Sequence, residues 1–377
     1  MKLIAKTFFG LEETLATELQ NLGAEEITPV NRAVSFEANK ALLYRSTLCL
    51  RTALRILKPI YSFRAQTEEA LYNHVDKFNW VDFLDPKKTF AIDAVVHSDY
   101  FSHSKYVALK TKDAIVDQIR RHIGYRPNID TVNPHIRLHV HVFRDKVEIS
   151  LDSSGFSLHR RGYRQAGHRA PINEALAAGM ILLSGWKPDM PFLDPMCGTG
   201  TFLTESLMMA NNIPARQLVK DYCFQNWPDY SEALWEQVYN KEVSKVKVNS
   251  SPIFGYEIDE YNLEIAKNSM AQIDTENKIK ILNQDFFNSQ KPTEKGVMII
   301  NPPYGERLSP QYIFEFYQNI GDTLKKSYSG WDAWIISANI NALKKIGLRT
   351  SKKHTLYNGS LECKFQKYSL FEGSLKK

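Results

Sequence analysis

The fold of this chain is decided by the stretch Leu193-Asp194-Pro195-Met196-Cys197-Gly198-Thr199-Gly200-Thr201, which follows a short apolar strand and opens a helix. Glycines at such a turn let the backbone pass close to a ligand, and the following helix presents free N–H groups to a carboxylate. The stretch is not a dinucleotide fingerprint, because Leu203 replaces the third glycine, and it lacks the GK[ST] ending of a P-loop. We expect an αβ turn at a ligand site, although such turns also connect elements that bind nothing.

Strands and helices alternate around this turn, which predicts an α/β fold with a parallel, doubly wound, Rossmann-like sheet in the second half of the chain. Its predicted strands are 192–193, 253–257, 279–282, 297–300 and 333–337, and its predicted helices are 202–210, 260–272 and 313–326. The first part of the chain has the pattern of an α+β region of small sheets. Its predicted strands are 2–8, 33–36, 89–96, 136–143 and 146–151, and its predicted helices are 11–22, 41–50, 67–75 and 104–123.

Two carboxylates follow predicted strands of the second half. Glu257 ends one strand, where a carboxylate can accept both ribose hydroxyls of a nucleoside cofactor. Asp285 ends the next, which places a carboxylate near an adenine amino group and the aromatic Phe286 near its ring face. Either acid alone is better explained by a helix N-cap or a loop salt bridge. Their order after a glycine turn favours a cofactor site.

The next strand runs into Asn301-Pro302-Pro303-Tyr304. Consecutive prolines fix an extended turn at the carboxyl end of a strand, where open α/β sheets bind ligands. The Asn301 side-chain oxygen and the Pro302 carbonyl can each accept one N–H of an sp2 amino group, so that its lone pair points at an electrophilic methyl. Stacking on Tyr304 would contribute about 1 to 3 kcal/mol. The motif therefore indicates methyl transfer to an exocyclic amine, with an accidental Pro-Pro turn as the alternative.

Length and composition limit the classes of protein that remain. The 377 residues are too many for one ordinary domain and are 43% hydrophobic, so we expect two or three domains with sizeable cores. Four cysteines lie far apart without a CxxC pair, which disfavours a disulfide framework and a cysteine zinc site. No apolar run has the length of a signal peptide or a membrane span. We expect a cytoplasmic protein without a membrane anchor or a metal.

Positive charge is concentrated ahead of the glycine turn. Residues 101–170 hold 13 Lys and Arg against 6 Asp and Glu, together with seven of the ten histidines. Such a block can follow a phosphate backbone by displacing its counterions. A solvated basic face has the same composition, so the charge alone does not decide between the two.

The motifs DPMCGTGT, GYEID, QDFF and NPPY, in this order, resemble the cofactor and target-amine motifs of class I S-adenosylmethionine-dependent methyltransferases. Residues 168–174 resemble the segment that amino-methyltransferases place before the glycine loop. The amino-terminal region resembles a ferredoxin-like piece plus a THUMP domain, an RNA-binding module. Residues 224–235 are similar to an insertion in the bacterial 23S rRNA guanine-N2 methyltransferases, so the resemblance covers nearly the whole chain.

This resemblance implies a ferredoxin-like region at 1–43, a THUMP domain at 44–157 and a methyltransferase domain at 158–377. It implies S-adenosylmethionine as the cofactor and RNA as the partner. The implied cofactor residues are Asp194, Gly198 and Gly200 at the methionine end, Cys197 and Thr201 in the same turn, Glu257 at the ribose, and Asp285 with Phe286 at the adenine. Asn301, Pro302, Pro303 and Tyr304 would hold the guanine. Some relatives carry a second methyltransferase, and we expect a single activity here.

Two further groups of residues have a functional and a structural interpretation. The candidate RNA ligands are Arg160, Arg161, Arg164 and Arg169, with interdomain salt bridges as the equal alternative. The histidines at 135, 139 and 141 could suggest a metal site, but two of them merely share one face of a strand. Surface or RNA-facing histidines are the better interpretation.

The predicted function is methylation of the N2 amine of a guanosine in RNA, with 23S rRNA as the expected substrate. The amine would attack the methyl directly, so Cys197 is interpreted as a small loop residue and not as a nucleophile. Guanine-N2 methylation of tRNA is the nearest alternative. DNA adenine-N6 methylation and a non-catalytic RNA-binding role in ribosome assembly are more distant ones. The modified guanosine and the oligomeric state stay open.

Overall fold

The computed structural model describes residues 1–164, 172–248, 251–276, 278–303 and 310–371. The chain divides into two compact units that are discontinuous in sequence. The N-terminal unit comprises Met1–Thr7, Ala16–Leu158 and Val219–Lys241. The C-terminal unit comprises Phe8–Leu15, His159–Leu218 and Glu242–Lys377.

The N-terminal unit is built on one mixed seven-stranded sheet of order β2-β3-β1-β4-β7-β6-β5. Its strands are β1 (Lys2–Lys6), β2 (Glu25–Val30), β3 (Ala33–Glu37), β4 (Arg55–Arg64), β5 (Phe90–His97), β6 (Ile136–Phe143) and β7 (Lys146–Asp152). Its helices are α1 (Glu12–Asn21), which continues from the C-terminal unit, α2 (Lys40–Cys49), α3 (Glu68–Lys77) and α4 (Ser104–Ile123). Neighbouring strands are antiparallel except β5 and β6, which are parallel.

The expectation of separate small sheets is wrong, because β4 joins them. This strand pairs with β1 through Ile56 and Ala5 on one side and with β7 on the other. Its sequence RILKPIYSFR does not alternate cleanly and contains Pro59, which has no N–H for a ladder. The register of β4 against β7 shifts between Pro59 and Tyr61, and such a bulge accommodates the proline.

Alternation along the central strands separates a core face from a polar face. Leu138, Val140 and Val142 of β6 are completely buried, as is Ile149 of β7. The residues between them, such as His139, point to the opposite face. Helices α3 and α4 pack together, and α4 packs on β5, so one face of the sheet is covered by helices.

The segment Val219–Lys241 lies in sequence between two stretches of the C-terminal unit, but it packs in the N-terminal unit. Phe224 is completely buried and stacks on Tyr44, with ring centroids 4.5 Å apart. The Phe224 N–H donates to the Ser153 carbonyl at 3.0 Å, just beyond β7. Lys58 of β4 forms an ion pair with Asp229 at 3.0 Å. This segment is therefore a structural part of the N-terminal unit.

The C-terminal unit contains a second seven-stranded sheet of order β10-β9-β8-β11-β12-β14-β13. Its strands are β8 (Phe192–Asp194), β9 (Ile253–Glu257), β10 (Ile279–Asn283), β11 (Gly296–Ile300), β12 (Trp331–Ser337), β13 (Lys352–Asn358) and β14 (Leu361–Ser369). Its helices are α5 (Glu174–Ser184), α6 (Thr201–Ala210), α8 (Glu260–Met270), α9 (Pro310–Ser327) and α10 (Ile340–Lys345), while α7 (Glu232–Val243) begins in the N-terminal unit. No helix in the described ranges is long and apolar enough to cross a membrane.

The predicted parallel, doubly wound sheet is confirmed for β8 to β12, whereas β14 is antiparallel to both of its neighbours. Strand β8 lies between β9 and β11, so the winding direction of the chain reverses beside it. Buried side chains fill one core on each face of the sheet, with Phe192 in one and Leu193 in the other. Ligands of open α/β sheets bind at the carboxyl edge next to such a reversal, which is where β8 and β11 end.

We predict that Phe224→Ala destabilises the N-terminal unit. Removing a fully buried phenylalanine costs about 3 to 5 kcal/mol because it loses hydrophobic contacts and leaves a cavity. Urea unfolding of the intact chain measures the loss, and hydrogen exchange of peptides from β7 locates it. Phe143→Ala is the matched control in the same unit, since Phe143 is 52% exposed. Equal unfolding midpoints for the two variants would contradict a core role for the segment Val219–Lys241.

Candidate functional site

The turn between β8 and α6 is shaped by two glycines in the left-handed region. Gly198 has φ +52° and Gly200 has φ +77°, which other residues rarely adopt. A Cβ on Gly200 would also come within 3.2 Å of the Ala266 Cβ on α8, whereas a Cβ on Gly198 would meet no described atom within 4 Å. The turn therefore packs closely on α8 at one glycine and leaves open space at the other. Among the described residues, no side chain caps the N-terminus of α6.

Two carboxylates meet at this turn. Asp194 is 1% exposed, and its Oδ1 accepts the Met196 N–H at 3.2 Å. Burial raises the pKa of Asp194 well above its usual range, and the nearby Glu257 raises it further. Glu257 Oε2 accepts the Gly198 N–H at 2.7 Å, and its Oε1 accepts the Asp259 N–H at 3.0 Å. The end of β9 is thus tied directly to the glycine turn.

The third predicted carboxylate also lies at the carboxyl edge, following β10. Asp285 accepts hydrogen bonds from the Phe287 N–H at 3.0 Å and from Asn288 Nδ2 at 2.8 Å, so it caps the short 3-10 helix that follows. Phe286 is 2% exposed and packs on Tyr328 in the core, with ring centroids 5.6 Å apart. The prediction that Phe286 faces an adenine ring is therefore corrected, because its ring already belongs to the core.

Asn301 directly follows β11, next to the turn. The register Met298↔Leu193 brings the ends of β11 and β8 to the same edge of the sheet. The Asn301 Oδ1 atom is buried and has no hydrogen-bond partner within the described ranges. A buried acceptor left without a donor costs about 1 to 3 kcal/mol, so this oxygen is poised for one. Pro302 and Pro303 continue the edge, and Tyr304 lies outside the described residues.

Two of the four arginines predicted to bind RNA are engaged by protein groups. Arg161 is 1% exposed, and its Nε lies 3.3 Å from Glu205 Oε1, so the prediction for Arg161 is corrected. Arg164 is held against the start of α6, where it donates to Thr201 Oγ1 at 2.9 Å. Arg160 is exposed, and Arg169 lies outside the described residues.

Sequence reasoning missed the acids that partner these arginines. Glu205 and Glu174 are buried at 0% and 3% exposure, and Tyr163 donates to Glu205 Oε1 at 3.1 Å. A signal was present, because Glu205 is the only charged residue in TFLTESLMMA and Glu174 the only one in EALAAGMILLS. A single acid in an apolar helix needs a buried partner, and basic residues precede both helices.

The histidines at 135 and 139 differ in exposure, and the interpretation of His139 as a surface or RNA-facing residue is corrected because it is buried. His139 on β6 is 8% exposed, and burial lowers its pKa to about 4. His135 bonds to Thr89, with 2.8 Å between Nδ1 and Oγ1. Within the described part of the chain, no group of three His, Cys, Asp or Glu side chains could hold a metal ion.

Family comparisons match three consecutive parts of the chain. Residues 161–367 match the RMKL-like methyltransferase domain, residues 65–152 the THUMP domain, and residues 2–57 the RlmL ferredoxin-like domain. The predicted family and fold class are thereby confirmed, whereas the boundaries 1–43, 44–157 and 158–377 stay predictions.

Individual proteins of similar sequence extend this match. A Synechocystis sp. protein, slr0064, provisionally named an RNA methyltransferase, is 37% identical over 364 residues, which are 96% of this chain and 95% of the relative. The Ribosomal RNA large subunit methyltransferase K/L of Shewanella frigidimarina is 33% identical over 374 residues, 98% of this chain. The present chain spans about half of that relative, 52% of its length. The crystal structure of SMU.472, provisionally assigned as a methyltransferase and complexed with SAH, is 30% identical with a TM-score of 0.88 over 99% of both chains.

We predict that His139 makes the stability of the N-terminal unit depend on pH. The folded pKa of about 4 lies below the ordinary value of 6.5, so the unfolded chain binds more protons between these values. Stability is therefore full above pH 6.5 and falls as the pH decreases. This histidine should account for about 2 kcal/mol between pH 7 and pH 5. Urea unfolding at several pH values measures the slope.

His139→Gln should flatten that slope, because the glutamine side chain does not titrate. His122→Gln, at an exposed position of α4 in the same unit, is the control and should keep the slope of the unmodified protein. A His139→Gln protein that retains the full slope would show that other groups carry the pH dependence.

Proposed function

Because the chain belongs to the family of RMKL-like methyltransferases, we propose that it transfers a methyl group from S-adenosylmethionine to the exocyclic N2 amine of a guanosine in RNA. The observation that carries this proposal is the buried Asn301 Oδ1, which has no donor among the described residues, at the sheet edge shared with the glycine turn. The K/L relative is named for the large-subunit ribosomal RNA, which supports 23S rRNA as the substrate. The SAH bound to SMU.472 supports the cofactor.

The residues at the turn suit a nucleoside cofactor with an amino-acid end. Glu257 uses one lone pair of each carboxylate oxygen on backbone N–H groups, and a carboxylate offers about four such sites. It can therefore accept two ribose hydroxyls without giving up its contacts to the turn. The space beside Gly198 and the uncapped N-terminus of α6 leave room and free N–H groups for the carboxylate end of the cofactor. In this proposal Asp285 binds the adenine.

The proposed reaction is a direct displacement. Bound S-adenosylmethionine supplies a methyl group on a positively charged sulfur. Asn301 Oδ1 and the Pro302 carbonyl accept the two N–H groups of the amine, which turns the nitrogen lone pair away from the base and towards the methyl. The methyl carbon would bond to the nitrogen, the neutral thioether would leave with the electron pair of the broken S–C bond, and the nitrogen would release one proton to water. No protein nucleophile is required.

The state of Cys197 agrees with a direct displacement. Its thiol is 7% exposed within the glycine turn. Burial raises the pKa of this thiol well above its ordinary value, and the charges of Asp194 and Glu257 raise it further. The thiol is therefore protonated at neutral pH, and a thiol is a poor nucleophile. The interpretation of Cys197 as a small residue of the loop is retained in the proposal.

For the RNA contact we propose the exposed end of α4 and the loop that follows it. Gly124, at φ +74°, ends the helix, and Tyr125 beyond it is 44% exposed. Arg126 is exposed and has no ion pair within the described part of the chain, whereas Arg120 and Arg121 pair with aspartates. An aromatic ring for base stacking beside a free cation is the combination that single-stranded RNA needs.

We predict that Asn301→Ala abolishes methyl transfer but not cofactor binding. Loss of a preorganised hydrogen-bond acceptor at the reacting group should lower kcat by about 100-fold or more, while the Kd for S-adenosylmethionine changes little. Turnover is measured with labelled cofactor on rRNA and tRNA from a strain that lacks the gene. Asn319→Ala, at an exposed position of α9, is the control and should keep full turnover. An Asn301→Ala protein with full turnover would contradict the role of this side chain.

Mass spectrometry of the nucleosides from the same reactions identifies the product. N2-methylguanosine in 23S rRNA is the expected result. N2-methylguanosine found only in tRNA would show that tRNA, and not 23S rRNA, is the substrate. N6-methyladenine in DNA would contradict both the proposed base and the proposed nucleic acid. A protein that binds RNA without binding S-adenosylmethionine would favour the assembly-factor alternative.

We predict that Arg126→Ala weakens RNA binding in a salt-dependent way. Losing one phosphate contact should reduce the slope of log K against log salt concentration by about 0.7 to 0.9. Titration of a fluorescent single-stranded RNA at several salt concentrations measures that slope. The control is Arg64→Ala in the same unit, where the exposed arginine already pairs with Asp145 at 2.8 Å. Equal slopes for both variants and the unmodified protein would exclude the loop after α4 as the contact.

A further inference from the structure

Arg164 occupies a junction beside the glycine turn. Its Nη2 donates to Thr201 Oγ1 at 2.9 Å and to the Ile172 carbonyl at 3.1 Å. Its Nη1 lies 3.2 Å from Glu174 Oε1 in the first turn of α5. One guanidinium therefore contacts the starts of α5 and α6. It also contacts Ile172, which directly precedes the N-cap residue of α5. Arg164 was predicted to bind RNA. Because its guanidinium is engaged by three protein acceptors, we assign it a different role.

The environment of this junction is buried, although it carries charge. The Glu174 side chain is 4% exposed and the Arg164 side chain 25%. Three residues earlier, Arg161 pairs with Glu205 in the middle of α6, both with completely buried side chains. Burying such pairs costs several kcal/mol of desolvation, which only good hydrogen-bond geometry offsets. Helix α6 is therefore fixed at two points by the segment that precedes α5.

Thr201 links this junction to the cofactor site. It is the first residue of α6 and directly follows Gly200, and it is 4% exposed. With no side-chain cap at this helix end, the Thr201 hydroxyl is the group through which Arg164 reaches the turn. A shift of Thr201 displaces Gly198 and Gly200, since the three residues lie within one tight turn.

We propose that Arg164 is a positioning residue for the cofactor, which holds the glycine turn in its binding conformation through the hydroxyl of Thr201. This inference rests on the proposed use of S-adenosylmethionine. Arg164 does not contact the cofactor in this arrangement, because its donors are directed at Thr201, Ile172 and Glu174. A lysine cannot replace it, since a single ammonium group does not reproduce the planar fork that serves acceptors on two helices.

A double-mutant cycle on cofactor affinity tests this inference. Isothermal titration with S-adenosylmethionine gives the Kd of the unmodified protein, Arg164→Leu, Thr201→Val and the double variant. Each single variant should raise the Kd about tenfold, and the double variant should raise it no further, because both remove the hydrogen bond between Arg164 and Thr201. A roughly 100-fold increase in the double variant, which indicates independent effects, would overturn the inference. So would unchanged Kd values in the single variants.

Matched variants separate positioning from a loss of folding. Thr201→Ser keeps the hydroxyl and should stay within about twofold of the unmodified Kd. If it loses as much affinity as Thr201→Val, the threonine methyl and not the hydrogen bond is responsible, and the inference fails. Ser206→Ala removes another buried hydroxyl of α6, which donates to the Leu203 carbonyl at 2.9 Å, and should leave the Kd unchanged. An equal increase of the Kd in Ser206→Ala would show that a less stable α6 causes the loss of affinity, and the inference would fail.

Kinetics provide a readout that a general structural role would not give. Arg164→Leu should raise the KM for S-adenosylmethionine about tenfold and leave kcat within about twofold, since the target amine is held by other residues. A fall in kcat with an unchanged KM would overturn the inference. If the unmodified protein does not bind S-adenosylmethionine, the proposed function itself fails. If it binds and the variants bind equally well, only the positioning role of Arg164 fails.

Discussion

The pairing of the three-residue strand β8 with both of its neighbours is the constraint on which the candidate site depends. β8 lies parallel to β9 through Leu193 and Phe254 and parallel to β11 through Leu193 and Met298. Those two registers determine where the turn after Asp194, the carboxylate at the end of β9 and the amide after β11 come together. A slip of one residue in either pairing would exchange the faces of the sheet and separate these groups. The short strand is protected from slipping because Phe192 and Leu193 fill cores on opposite faces.

The N-terminal unit depends instead on contacts between residues far apart in sequence. Strand β4 joins two groups of strands into one sheet, and Phe224 packs on Tyr44 from a segment inserted more than a hundred residues later. Neither feature could be predicted from local patterns, since β4 contains a proline and a bulge and the contact between Phe224 and Tyr44 joins residues far apart in sequence. By contrast, α4 was predicted with its observed ends, because its apolar spacing is regular and Gly124 ends it in the left-handed conformation.

The candidate site could be predicted wherever a residue type at a strand end was sufficient. Asp194, Glu257 and Asn301 lie at the carboxyl edge as expected, because parallel strands bring their ends together whatever the intervening loops do. Phe286 and Arg161 were misjudged for a common reason, which is that the sequence does not reveal on which side of an element a side chain is buried. Both are almost completely buried, one in an apolar core and one against a carboxylate.

The two ends of the proposed site differ in how their acceptors are satisfied. Glu257 already accepts two backbone N–H groups and has lone pairs to spare, so a ligand there adds contacts to a turn that is held in place. Asn301 Oδ1 has no donor among the described residues, and a ligand N–H would remove the cost of its burial. In the proposed reaction, a base that lacks an exocyclic amine would leave that oxygen unsatisfied. Sites of this kind reject analogues without the donor far more strongly than apolar pockets reject a missing methyl group. Selection for an amino-bearing base would thus originate in a single unsatisfied oxygen, while selection for RNA would have to come from the other unit of the chain.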